Sequence, residues 1–432
     1  MLVFLVELTI VKRDFLVFSL LLLLTILVFR SALLTFFVQD DFIFIDHFSK
    51  NFLFWDLENV FGMPEVTHWR PIHNLYFFIS GNIFDKNYFL YHLLTFLFHA
   101  GTGFLIYKTV NYFLKDGVYS FLAALFYIVN PSHFISLNWI SGGAVLLGFF
   151  FLMLSIYFSL LGKKVISIIS YIFSILASEA MLGGFFLFSI YSLHRRKKVF
   201  IKDKQIITLA VFSLVFLIIR VFALTPKQTF DVYRFELSVR ILDSVKYYLL
   251  RIAGFAEVSG DYFTTGTLLI FLLIIGATIV KNIGKVKTRS LVLIATAIIV
   301  IGLFPFILIP SHLSPHYMSI SIWGFSMITA FSMKYLGRSL AFFLAVVYVG
   351  MAFVNVGLIK NNNWVISRSN IARTYLQEIG RENYPAGSKL IFGDSEISSS
   401  EEAYILLGQG KAISVWFPDK NYRACFVAFE NC

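Results

Sequence analysis

Residues 17–41 read VFSLLLLLTILVFRSALLTFFVQDD, an apolar run that ends on two adjacent carboxylates, Asp40 and Asp41. A helix rises 1.5 Å per residue, so about 20 predominantly apolar residues cover the ~30 Å hydrocarbon core of a bilayer. The same signature recurs as LLIFLLIIGATIV at 268–280 and SLVLIATAIIVIGLFPFILI at 290–309, stretches that are apolar on every face. A membrane barrel would instead alternate apolar and polar residues over strands of about ten. With 58% hydrophobic and 14% charged residues in a chain of 432, the composition lies far from that of a soluble globular protein. The expected fold is an all-α polytopic membrane protein.

The hydrophobic runs suggest eleven spans, at 15–38, 88–107, 118–136, 142–161, 165–178, 180–193, 205–224, 267–280, 290–310, 317–333 and 339–359. Basic residues collect in alternate connections. These hold Lys12 and Arg13; Lys108 and Lys115; Lys163 and Lys164; Arg195 to Lys198 with Lys202 and Lys204; Lys281, Lys285, Lys287 and Arg289; and Lys334 and Arg338. The positive-inside rule puts those connections in the cytoplasm, with the N-terminus inside and the loops 39–87 and 225–266 and the tail from about 360 outside. The net charge of +11 is mostly this bias and gives no argument for a nucleic-acid partner. The first run ends in QDD without a small-residue cleavage site, so it is expected to stay as an anchor.

The organisation expected is a membrane domain over 1–360 and a small extracytoplasmic α/β tail over 361–432, too short for a sizeable core of its own. Within the tail, KLIFGD at 389–394 and AISVWF at 412–417 read as strands, and Cys425 and Cys432 are able to pair in an oxidising compartment. The 39–87 loop interleaves Asp46, His47, Asp56, Glu58, Glu65, His68 and His73 with many aromatics, a pattern suited to amphipathic helices lying on the membrane. Residues 236–253 place Leu237, Ile241, Val245 and Leu249 at a helical period and suggest a second interfacial helix. The chain carries no Walker loop, no GxGxxG after a strand and no metal-spaced Cys/His cluster. His92 and His99, seven apart on one helix, fit helix packing better than metal ligation.

Ionised groups at a membrane boundary are costly and tend to be functional, which singles out Asp40 and Asp41. The motifs that follow them are FG-(x)5-HWRPIHNLYFFI, YHLLTFLFHAGTGFLIY, NPSHFISLNWISGGAVLLGFFFLM and SILASEAML. In this order they resemble the GT-C glycosyltransferases, nearest to the transmembrane O-mannosyltransferase branch and related bacterial enzymes. The likeness covers roughly residues 30–190 and beyond that only topology. Its carriers are Asp40 and Asp41 as the acidic pair of the first outer loop, Trp69-Arg70-Pro71, Asn130-Pro131 with Ser141 to Ala144, and Ser178-Glu179. Departures from the family pattern are Trp69 for a tyrosine, Gly143 for an arginine, Ser178 for a lysine, and His316 before Tyr317 where relatives have Arg-Tyr. The identity of donor and acceptor is therefore not carried over.

The resemblance implies inverting transfer of a sugar from a polyprenyl-phosphate carrier to a protein, lipid or glycan acceptor on the outer face. A carboxylate in hydrogen-bond reach of the acceptor hydroxyl would then act as general base, worth about 10² to 10⁴ in rate. Asp40 takes that role, Asp41 orients it or stands in for it, and Glu179 belongs to the same pocket. The departing lipid phosphate needs cations or preorganised donors. Arg70 leads, since a guanidinium grips phosphate bidentately, with Arg220, His316 and Tyr317 behind it. His68, Trp69 and His73 are expected at the acceptor side. No cofactor is expected, and a divalent ion held by the acidic pair and a histidine stays open. The location expected is a prokaryotic plasma membrane. A polytopic transporter or flippase of lipid-linked or polar solutes is the alternative, although the internal repeat a secondary transporter should carry is not visible in the sequence.

Overall fold

The computed structural model describes residues 2–48, 60–61, 69–196, 203–222, 233–257 and 261–432, the side chains of 2–11 and 191–196 excepted. Helices dominate: α1 (Leu2–Phe29), α2 (Asp40–Phe48), α3 (Pro71–Phe84), α4 (Tyr88–Leu114), α5 (Gly117–Ile128), α6 (Phe134–Asn138), α7 (Ala144–Leu160), α8 (Lys164–Ala177), α9 (Phe185–Arg196) and α10 (Lys204–Phe222). Then come α11 (Arg240–Ala253), α12 (Tyr262–Asn282), α13 (Val286–Ile307), α14 (Ser319–Met333) and α15 (Arg338–Asn362). The tail contributes α16 (Trp364–Glu382), β1 (Lys389–Phe392), α17 (Ser400–Leu406), α18 (Lys411–Trp416) and β2 (Arg423–Phe426).

Among the described residues seven helices are long and apolar enough to cross a membrane: Lys12–Leu34, Tyr88–Leu114, Ser141–Leu160, Lys204–Phe222, Tyr262–Asn282, Val286–Ile307 and Arg338–Asn362. The pair Gly117–Ile128 and Pro131–Asn138, bent by 47° at a proline, makes up to an eighth. The protein is thus an all-α multi-pass membrane protein. The expected fifth and sixth spans fall on the shorter apolar helices Lys164–Ala177 and Glu179–Ile190, which are not among the seven long enough to cross. The 14-residue α8 is about 21 Å long, less than a bilayer core. The expected tenth span is the 15-residue α14.

Helix packing relies on small residues, as it must where lipid is as apolar as leucine. A Cβ added at Gly324 would meet the Ala295 carbonyl at 2.7 Å, and one at Gly302 the Ser321 hydroxyl at 2.3 Å, so α13 and α14 lie nearly backbone to backbone. Between α7 and α8 the Ser155 hydroxyl donates to the Ser167 carbonyl at 2.6 Å and Ser167 returns a bond to the Ser155 carbonyl at 2.8 Å. His92 reaches the carbonyls of Leu137 and Thr35, each at 2.9 Å, and His99 that of Ile128 at 2.9 Å, so both imidazoles tie helices together.

Helix α11 falls on the second expected amphipathic segment. Ser244, Tyr248 and Ile252 are buried, whereas Leu237, Leu242 and Leu249 are exposed. The end of the helix is tied to its neighbours by three hydrogen bonds. Asn130 donates to the Ile252 carbonyl at 2.8 Å, Ser132 to that of Arg251 at 2.8 Å, and Asn355 to that of Gly254 at 2.9 Å.

The tail corrects one sequence expectation. KLIFGD contains β1, but AISVWF is helical, and the strand that pairs in parallel with β1 is Arg423–Phe426. Tertiary burial decides the matter. As a helix, α18 buries Ala412, Ile413 and Val415 and lets Ser414 donate to Asp46 at 2.8 Å. Cys425 and Cys432 form a disulfide. The tail shares one hydrophobic core with the segment around the acidic pair: Phe36, Phe37, Phe42, Ile45 and Phe48 pack with Ala372, Leu376, Leu406, Leu407, Ile413 and Phe426.

Candidate functional site

The chain leaves the first span through the short turn Arg30–Leu34, runs extended to Val38, and turns sharply at Gln39, whose φ of 53° is left-handed. Asp40 and Asp41 therefore open α2, and the helix start points them in different directions. Asp40 is exposed, whereas Asp41 is completely buried. One Asp41 oxygen accepts from the Ser141 backbone at 2.8 Å and its hydroxyl at 2.6 Å; the other accepts from the Val38 backbone at 3.1 Å. Burial pushes the Asp41 carboxyl up to about 7 against the pull of these donors, with the Asp40 charge adding to the rise. Asp41 is a fastener between the first loop and the turn Ser141–Gly143, and it holds Asp40 at the surface.

Arg70 stands at the foot of α3, whose first helical position is Pro71, a residue with no N–H to leave unpaired. Its guanidinium forms a two-pronged pair with Glu179, Nε to Oε2 at 2.7 Å and Nη2 to Oε1 at 2.7 Å. Burial opposes the charge, yet the Glu179 carboxylate outweighs it and holds the guanidinium above its ordinary value. Glu179 opens the turn Glu179–Gly184, so the break between α8 and α9 exists where this carboxylate must face Arg70. Trp69 is partly packed: its indole donates to Phe61 at 3.2 Å and its ring stacks on Phe216 of α10 at 5.8 Å.

His73, one turn into α3, is 2% exposed and packs among Phe44, Tyr76 and Phe77, away from bulk solvent. His68 lies outside the described residues. His316 is also buried, with Nδ1 2.6 Å from the Ser314 hydroxyl; burial first, then His312 and Arg70, push it down to about 3, so it offers a neutral ring. Tyr317 lies 3.2 Å from His312 and stacks on Phe306 at 4.5 Å. Among the described residues no group of three or more His, Cys, Asp or Glu is arranged to hold a metal ion.

The structure brings four of the expected residues together. Arg70, Glu179, Arg220 and Tyr317 line one cleft of about 1150 Å³, joined by Tyr233, Arg234 and His312, which the sequence reading missed. Helix α9 packs against both α10 and α13 and so floors this cleft. Its walls are apolar, with Leu182, Phe185, Leu214, Leu217, Val221 and Phe304. Tyr233, Arg234 and Phe235 line the cleft, and the segment after them is pinned by a bond from the Glu236 backbone to the Leu308 carbonyl at 3.0 Å. Burial holds the Tyr233 phenol above its ordinary value, with Arg70 pulling it down and Asp40 and Glu179 pushing it up, so Asp40 shares this charged neighbourhood. His73 and Asp41 sit behind it as packing and anchoring groups. A faint signal for the missed residues existed: YRFE at 233–236 sets a phenol and a cation side by side before the interfacial helix, and His312 precedes His316 by four residues.

Chemically, the cleft combines apolar walls with the guanidinium groups of Arg70, Arg220 and Arg234 and the phenols of Tyr233 and Tyr317, with the exposed Asp40 carboxylate in electrostatic reach of Tyr233. Neither a protein-family model nor a curated protein sequence matches this chain.

Proposed function

We propose that the chain is a membrane glycosyltransferase of the GT-C type that moves a sugar from a polyprenyl-phosphate donor to an acceptor on the outer face, with Asp40 as general base. The observation that carries this reading is the cleft: one cavity of about 1150 Å³ joins apolar walls with Arg70, Arg220, Tyr233 and Tyr317. A polyprenyl chain fits the walls by its apolar surface, and its phosphate fits the guanidinium groups by charge-assisted hydrogen bonds. Asp40, exposed and within electrostatic reach of Tyr233, is on the side from which a hydrated acceptor arrives.

In the proposed reaction the acceptor oxygen attacks the anomeric carbon from the face opposite the phosphate. The acceptor proton passes to the Asp40 carboxylate, the sugar–phosphate C–O bond breaks with its electron pair, and polyprenyl phosphate departs. Arg70, aimed by Glu179, stabilises the leaving phosphate with Arg220 and the two phenols. The buried, neutral His316 supports Tyr317 from behind. The eleven-span topology, the cytoplasmic N-terminus and the prokaryotic plasma membrane complete this proposal, and charge bias is what supports the orientation.

The test is transfer by purified protein in lipid nanodiscs from a panel of radiolabelled polyprenyl-phosphate sugars to a mixed acceptor extract, beside Asp40→Asn. Transfer by wild type that falls at least a hundredfold in Asp40→Asn is expected. No donor consumption by folded protein, or an Asp40→Asn variant equal to wild type, rejects the reading and makes solute transport the next assay.

A further inference from the structure

The tail makes its most specific contacts with the residues that set the acidic pair. Phe36, four residues before Asp40, is held at both backbone groups by one side chain: its N–H donates to the Ser369 hydroxyl at 2.9 Å, and that hydroxyl donates to its carbonyl at 3.1 Å. The Gln39 N–H donates to the Leu406 carbonyl at 3.1 Å. Gly408, at φ +56°, lies directly over the Gln39 peptide, where an added Cβ would meet the Gln39 carbonyl oxygen at 2.6 Å and the Phe42 Cβ at 3.1 Å. Further along α2, Asp46 accepts from Ser414 at 2.8 Å and pairs with Lys411 at 3.2 Å.

These contacts bracket Asp40 on the tail side, while the Asp41–Ser141 bonds bracket it on the membrane side. The left-handed Gln39 is the pivot. A non-glycine residue is rarely held at positive φ without outside restraint, and here the restraint comes from residues more than 360 positions later in the chain. We infer that the tail turn from Leu406 to Gly408, with Ser369, is the positioning element of Asp40, and that Gly408 is a positioning residue for the base. The inference rests on the proposed role of Asp40, but its structural half stands independently of any reaction.

The experiment uses a matched pair of full-length variants. Gly408 and Gly387 both sit at positive φ, +56° and +81°, so alanine brings left-handed strain to either; at Gly387 nothing lies within 4 Å of the new Cβ, whereas at Gly408 the Gln39 backbone does. Hydrogen–deuterium exchange of the peptide spanning Phe36 to Phe48, in nanodiscs, reads position without any assumption about chemistry. Exchange at least tenfold faster in Gly408→Ala, with Gly387→Ala at the wild-type rate, is the expected result. Equal exchange in the two variants overturns the inference, whether both are fast or both slow.

Transfer kinetics, where wild type transfers, supply the second readout. Gly408→Ala should lower kcat at least tenfold and leave KM for the lipid donor unchanged, because the donor cleft does not touch the tail turn; loss spread equally over both parameters, or matched by Gly387→Ala, also overturns it. If wild-type protein transfers nothing from any donor, the proposed function fails while the exchange contrast still decides the positioning role.

Discussion

Asp41 offers the sharpest test of how the first loop is anchored. Its carboxyl is raised from 3.8 to about 7 by burial, so the native state binds its proton more tightly than the unfolded chain does. The sign follows directly: the stabilising contribution is fully present below pH 4 and is lost as pH rises through about 7. At 1.36 kcal/mol per pH unit, the shift amounts to about 4 kcal/mol in all, of which about 2–3 kcal/mol is lost between pH 5 and pH 8. Asp41→Asn keeps the shape, abolishes the titration, and turns an NH₂ toward the Val38 N–H, a mismatch costing roughly 1–3 kcal/mol at every pH.

The wild-type-minus-variant difference in apparent unfolding temperature, measured in one detergent from pH 5 to pH 8, should therefore shrink as pH rises. The difference isolates Asp41, because the other titrating groups are common to both proteins. Ser141→Ala removes the 2.6 Å donor to the ionised form and should move the wild-type transition to higher pH. A difference that is flat with pH, or that grows, would refute the account of Asp41 as a buried, proton-dependent fastener.

The Arg70–Glu179 pair should be directional in its effects. Arg70→Lys keeps the charge but loses the two-pronged geometry, and donor KM should rise about ten- to a hundredfold, read by initial rates against donor concentration. Glu179→Gln leaves a partly buried guanidinium without its counter-charge; about 2 kcal/mol of stability should go, seen as a lowered melting temperature even without donor. Arg220→Leu, on the cleft wall, should weaken binding of a polyprenyl phosphate lacking sugar, measured by fluorescence quenching. Gly324→Val forces a side chain against the Ala295 carbonyl and should cost about 3 kcal/mol by prying α13 from α14, whereas Gly276→Val, with open space around it, should be tolerated.

The sequence by itself determined the class of the protein. Apolar runs of bilayer length are a local property, since every backbone polar group within lipid must be satisfied inside its own segment, and composition alone therefore announces helices that cross a membrane. It also put Asp40 and Asp41 at the end of the first apolar run, Arg70 before Pro71, and Glu179 between two apolar runs, because charges and prolines mark where apolar helices must stop. Which of those groups meet was decided only in three dimensions. Arg70 found Glu179 across 109 positions, Asp41 found Ser141 across 100, and Gln39 found the Leu406 carbonyl across more than 360. AISVWF, strand-like by composition, became a helix because α2 offered it a buried face and a carboxylate. Periodicity reports which face of a segment is apolar, whereas pairing between distant charges depends on how the helices pack, and that information is spread over the whole chain.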